Sequence, residues 1–156
     1  MSIIILVIIV LIGLFGFATS GEPDCVGDGE GCAAPAAVVT SWTPVTVDGI
    51  EGVVVAQGDG SLFVEADSWW TPSMADVAAA EEAITAAQGP LDHQRQYVGF
   101  IDNGEHKVLV NGFCDAFGLD WTTQPILVAD GGECFFEAVY NVDTGELEGF
   151  QFNGEA

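Results

Sequence analysis

Four cysteines, two histidines and 24 carboxylates are the side chains of this 156-residue chain best suited to bind a metal, attack an electrophile or move a proton. Cys25 and Cys32 stand with six residues between them in an acidic, Gly- and Pro-rich stretch, and no Cys or His pair follows at zinc-finger spacing. An even cysteine count in an exported chain reads as disulfides, and a thiol held in a disulfide is not a nucleophile. Cys114 and Cys134 fall at the ends of two expected neighbouring strands, so pairing Cys25 with Cys32 and Cys114 with Cys134 is the favoured arrangement. Crossed pairing is the alternative, since four cysteines allow three connectivities. Asp24, Asp28 and Glu30 bring oxygen ligands close to one another, as a calcium loop does. They lack the alternate ligand ladder and closing Glu of an EF-hand, so calcium remains the lesser reading and no cofactor is expected. His93 and His106 belong to a loop and to a turn, with nothing bringing them together. There is no G-x-S-x-G elbow, dinucleotide fingerprint or P-loop. Twenty-four carboxylates offer so many imaginable acid–base pairs that none is informative. The expectation is a non-enzymatic protein.

Charge narrows the partners. The only basic residues are Arg95 and Lys107, and the formal net charge is −22. Phosphate backbones are bound by Lys and Arg clusters, so nucleic acid is excluded, and anionic lipid surfaces are disfavoured on the same ground. Hydrophobic residues make up 49% of the chain, too many for an acidic solvating tail. The acids are scattered singly along the chain. That distribution fits a halophilic-like surface, whose self-repulsion salt screens, better than one divalent-cation site.

These residues are carried by three segments. Residues 3–18 are an unbroken apolar run, about 24 Å long as a helix. The length fits a signal-peptide core or a short membrane anchor, the hydrocarbon core being roughly 30 Å thick. Ala18-Thr19-Ser20 supplies a small-x-small cleavage pattern. Residues 1–20 are therefore a signal peptide or anchor, the chain is exported and either secreted or held at the cell surface, and any membrane contact is made through this segment. Cys25 follows Glu22-Pro23-Asp24, which does not suit a lipid-acceptor cysteine. Residues 21–41 read as a linker, and residues 42–156 as one domain.

Within that domain, residues 45–66 suggest a first hairpin: Gly52 to Ala56 as a β-branched run, Gly58-Asp59-Gly60-Ser61 as the turn, and Leu62-Phe63-Val64 returning. Val47-Asp48-Gly49 marks another tight turn. A helix follows Thr71 as N-cap and Pro72 at the first helical position, with Ser73 and Asp76 as a weaker capping-box signal. Its body is Ala-rich, with Met74, Val77 and Ile84 on one face, and Gly89-Pro90 ends it. Trp69-Trp70 just ahead packs into the core, or forms a platform for a carbohydrate or an aromatic ligand. Asn103-Gly104 demands a type I′ hairpin between strands at 96–101 and 106–113. Residues 115–125 form a loop, with a helical turn at 115–119 and Trp121 as a lid. A short strand is expected at 126–129, then a turn or bulge at Asp130-Gly131-Gly132. Strands at 134–142 and 147–152 flank a turn at Asp143-Thr144-Gly145. The fold class is α+β: one helix packed on an antiparallel meander in cystatin-like order, preceded by an N-terminal hairpin. Arg95 and Lys107 are expected in weak surface ion pairs.

The succession of RQYVGF, V-x-VNGFC, VADGGECFF-x-A-x-Y-x-V-x-TG and a closing NGEA, over residues 69–156, resembles a group of small exported bacterial α+β proteins. The order of elements is also similar to cystatin and PepSY domains. The cystatin Gln-x-Val-x-Gly motif is not reproduced: Gln96-Tyr97-Val98-Gly99 lacks the spacer. The resemblance implies an exported α+β domain and carries no activity or functional residue. Three roles follow as expectations: binding of a protein or cell-envelope polymer, inhibition of a secreted hydrolase, or divalent-cation binding.

Overall fold

The computed structural model describes residues 42–154. The apolar segment and linker, including Asp24, Cys25, Asp28, Glu30 and Cys32, lie outside the described residues. The fold is α+β, with one main helix and a mixed seven-stranded sheet. β1 (Thr43–Val47) and β2 (Ile50–Val54) form a hairpin whose turn places Asp48 and Gly49 at positive φ, 50° and 88°. The first hairpin thus turns one element earlier than the β-branched run suggested. Gln57–Leu62, expected as its turn and return, is a 3-10 segment, and Leu62 to Val64 pair with no strand. β3 (Ser68–Trp70) leads into α1 (Met74–Gln88).

The helix starts at Ser73, not Thr71. The Ser73 side chain accepts from the Asp76 amide while Asp76 accepts from the Ser73 amide at 2.8 Å, so both ends of a capping box are made. Val77, Ala80, Glu81 and Ile84 are buried at the i, i+3, i+4, i+7 spacing of a helix stripe, whereas Met74 is half exposed. Glu81 is the one polar member of that stripe.

β4 (Gln94–Asp102) and β5 (Glu105–Phe113) are the centre of the sheet, joined through Asn103 and Gly104 at φ 53° and 81° as the type I′ turn requires. β6 (Phe135–Asn141) and β7 (Glu146–Phe152) continue the meander, turning through Asp143-Thr144-Gly145. One edge of β4 has two partners. β2 runs parallel to Arg95, Gln96 and Tyr97; β3 runs antiparallel to Gly99, Phe100 and Ile101. The parallel pair makes the sheet mixed rather than a pure antiparallel meander. Gly99 lies under the β3 crossing because a Cβ there would overlap the Trp70 carbonyl oxygen and stand 2.8 Å from Pro72 Cδ.

Both faces of the sheet are covered. Tyr97, Val108, Val110, Phe136 and Ala138 pack under Val77, Ala80 and Ile84 of the helix. Val53, Val98, Phe100 and Leu109 on the opposite face are covered by Trp42, Phe63 and Val64. Two-sided burial explains why the middle of each central strand, Tyr97 to Ile101 in β4 and Val108 to Val110 in β5, is free of charged and amide side chains. Trp69 and Trp70, being adjacent in a strand, go to opposite faces, so both pack and they make no common platform.

Candidate functional site

Cys114 and Cys134 are joined, with their α-carbons 5.1 Å apart and the Cys114 amide donating to the Cys134 carbonyl at 2.9 Å. Phe113 and Phe135 pair across β5 and β6 immediately inside the disulfide. The bond therefore gathers both ends of residues 115–133 into one loop at the edge of the core. Phe113, Ile126 and Phe135 form a buried cluster beneath it, with Trp121 edge-on to Phe113 at 5.8 Å, in the lid position expected of it.

Residues 126–129 are not a strand. Their backbone is held by side-chain amides instead of a ladder. The Gln96 amide donates to the Trp121 carbonyl (2.8 Å) and the Gln124 carbonyl (2.7 Å), and its oxygen accepts the Ile126 amide (3.0 Å). Asn111 donates to that same Gln96 oxygen (3.0 Å) and to the Ile126 carbonyl (2.8 Å). Both side chains are buried and face one another across β4 and β5. A buried amide left without partners costs about 1–3 kcal/mol, so the pair commits the loop to one path. Beyond it, Asn153 donates to the Val128 carbonyl, and the Gly132 amide donates to the Gly154 carbonyl at 2.9 Å. Asp130 to Gly132 is neither hairpin turn nor bulge; it enters a 3-10 turn, Gly132–Cys134.

At the loop's leading end, the expected helical turn is a reverse turn. Phe117 and Gly118 both have positive φ, 53° and 75°, and the Leu119 amide donates to the Ala116 carbonyl at 2.9 Å. Asp115 accepts the Phe117 amide at 2.7 Å. Phe117 is 61% exposed and stacks on Phe135 with ring centroids 5.6 Å apart. Leu119 and Leu127 are also about half exposed. Asp120 accepts the Thr122 hydroxyl and amide, which lowers its pKa below the ordinary aspartate value. The loop thus carries exposed apolar side chains among Asp115, Asp120, Asp130 and Glu133 on a backbone fixed at its ends and middle.

Two other polar clusters take up the basic residues. Arg95, fully buried, donates through Nε to Glu81 Oε1 (3.0 Å), through Nη1 to the His93 carbonyl (2.6 Å) and through Nη2 to the Leu91 carbonyl (3.1 Å). Its guanidinium carbon lies 4.7 Å from the Phe136 ring centroid. The Tyr97 hydroxyl donates to the same Glu81 oxygen, and burial, with the carboxylate beside it, drives its pKa far up. Glu81 Oε2 and His93 Nδ1 are buried without a partner among the described residues. Arg95 is therefore not the exposed ion pair its sequence surroundings suggested: its alternation places it under the helix, where only a carboxylate can neutralise it. Next to it, Glu51, Asp92, His93, Gln94 and Cys114 line an open cleft of about 490 Å³.

Lys107 lies at the other end of β5, 2.9 Å from Glu148, 3.3 Å from Asp102 and 3.7 Å from Glu105. A bulge in the β6–β7 pairing after Val139 sets Glu148 on this side, where Asn141 donates to both Glu148 (2.7 Å) and Glu105 (3.0 Å). The hydrogen bond to Glu148 is the largest cause raising the Lys107 pKa, and Asn141 ahead of Lys107 lowers that of Glu148. Asp143 accepts the His106 amide at 2.8 Å, which lowers its pKa. His93 and His106 lie at opposite ends of β4, roughly 25 Å apart by strand rise.

No family model, curated protein or solved structure matches the chain. The disulfide was legible in the cysteine positions. The amide clamp was missed, although a signal existed: an Asn103-Gly104 turn sets residue 96 opposite residue 111 and so puts two amides face to face.

Proposed function

We propose that the chain is an exported, non-enzymatic binding domain, secreted or held at the cell surface through residues 1–41, and that residues 115–131 are the part that meets a partner protein. The observation that carries this reading is Phe117. A bulky non-glycine residue at positive φ is strained by about 1 kcal/mol or more, and here it presents an aromatic ring that is 61% exposed. Folding alone gains little from that arrangement. Binding does, because an aromatic anchor already fixed in place loses little entropy on docking.

The test is capture from a cell-envelope fraction by the full chain and by Phe117→Asn, Asn being at ease in the left-handed region. A protein retained by the wild type and lost with the variant supports the reading; equal retention removes it. A helix followed by the antiparallel strands β4 to β7, together with the braced loop, supports inhibition of a secreted hydrolase as the second reading. Titration against a panel of proteases and glycosidases checks it, and unchanged rates throughout would end it.

A further inference from the structure

We infer that the partner of this loop presents an apolar pocket rimmed by basic side chains; the inference rests on the loop reading above. The rim of the loop is anionic. Asp115, Asp120, Asp130 and Glu133 lie along it, all are exposed, and no Lys or Arg occurs between the cysteines. Among the described residues, neither Lys nor Arg is free to meet such a partner's acidic groups. Its two basic residues are internal counter-ions: Arg95 is fully buried against Glu81, and Lys107, 8% exposed, is surrounded by Asp102, Glu105 and Glu148. An approaching acidic surface would meet like charge over the whole molecule, whose net charge is −22. A basic one is steered in, and charge complementarity sets both the encounter rate and the rejection of wrong partners. At contact, the exposed ring of Phe117 requires an apolar recess, since its rear face is already stacked on Phe135.

The field and the anchor make separable contributions. Phe117→Asn removes the anchor and leaves all four acids. The quadruple variant Asp115→Asn, Asp120→Asn, Asp130→Asn, Glu133→Gln removes the charge and keeps amide oxygens where the Phe117 and Thr122 amides are accepted.

The experiment selects short disulfide-constrained random peptides, displayed on phage, against the full chain, then measures the winners on wild type and both variants at low and moderate salt. The expected result is a consensus of Lys or Arg around apolar residues. Affinity should fall about tenfold or more with Phe117→Asn, and association should slow about tenfold with the quadruple variant, as loss of steering predicts. Basic peptides that bind Phe117→Asn as tightly as wild type would reveal only a general field, overturning the inference and the loop reading together. A neutral or acidic consensus that still needs Phe117 would overturn the basic partner and leave the loop reading standing. Absence of any convergent sequence would count against the inference, with the envelope capture deciding the loop. Both variants should melt within a few degrees of wild type, which keeps loss of fold from imitating loss of binding.

Discussion

Replacing Arg95 by Met removes a guanidinium that makes three hydrogen bonds and leaves the Glu81 carboxylate, 3% exposed, with only the Tyr97 hydroxyl. Breaking a buried pair by deleting one partner costs about 3–5 kcal/mol, because the remaining charge is neither solvated nor neutralised. A domain of this size has a total stability of roughly 6–17 kcal/mol, so the loss is a large share of it. With a urea slope of about 1.5 kcal/mol/M, the unfolding midpoint should drop by roughly 2–3 M at unchanged slope. The same loss should persist in 1 M NaCl, since a pair inside the core is not screened as a surface pair is. The triple variant Arg95→Met/Glu81→Leu/Tyr97→Phe removes the buried charges and the hydroxyl bound to them, and should recover about 2 kcal/mol relative to the single one. The assay is equilibrium urea unfolding followed by tryptophan fluorescence. A single-variant loss under about 1 kcal/mol, or a triple variant no more stable than the single, would refute the assignment of Arg95 and Glu81 as a mutually dependent buried pair.

Opening the Cys114–Cys134 bond by Cys→Ala at both positions frees a loop spanning 20 residues of separation, and chain entropy predicts a loss of about 3 kcal/mol, read as a lower melting temperature. Gln96→Leu should cost about 2–4 kcal/mol by orphaning the Trp121, Gln124, Ile126 and Asn111 groups it satisfies; hydrogen exchange should show residues 121–128 deprotected first, and unchanged protection there would contradict the clamp. The pH response of the Lys107 cluster has a defined sign. Glu148 has a lowered pKa, so its contribution is complete above the ordinary 4.5 and fades as pH falls through the lower folded value. Lys107 has a raised pKa, so its contribution is complete below 10.5 and fades as pH climbs through the higher folded value. The melting-temperature difference between wild type and Glu148→Gln should thus be constant across neutral pH and vanish at the acid end. Stability should rise smoothly with NaCl because a net charge of −22 repels itself; a saturable jump with millimolar calcium that sodium does not reproduce would instead identify a cation site.

The sequence displayed the hairpin centred on Asn103-Gly104, the helix and the returning strands, because turn chemistry and alternation are local signals. It misplaced what depends on distant partners. Leu62-Phe63-Val64 has the composition of a strand, yet Phe63 and Val64 are used as a cover over the sheet face. Ile126 to Val128 looks equally strand-like, but Gln96 and Asn111 satisfy Ile126 before any neighbouring strand can. Thr71-Pro72 is a good helix start, but Pro72 is buried against Gly99, so the cap passes to Ser73, whose capping-box partner Asp76 was in view from the beginning. Of the candidate loop, the cysteine frame and the Trp121 lid were legible. The outward turn of Phe117 was not, since an aromatic in a Phe-rich chain reads as core until the chain's direction is known.

The burial of both basic side chains gives the native chain an unusual chemical opacity. Proteases that cut after Lys or Arg have two peptide bonds to recognise, after Arg95 and after Lys107, and both lie in the central hairpin of the sheet. Neither can enter an active-site cleft while β4 and β5 are paired, so cleavage by trypsin requires the sheet itself to open. The folded domain should survive such proteases through large fluctuations of its loops, and once opened it should yield three pieces, residues 1–95, 96–107 and 108–156. Trypsin is in effect a reporter of global unfolding for this fold, and amine-directed reagents are left chiefly with the chain's α-amino group.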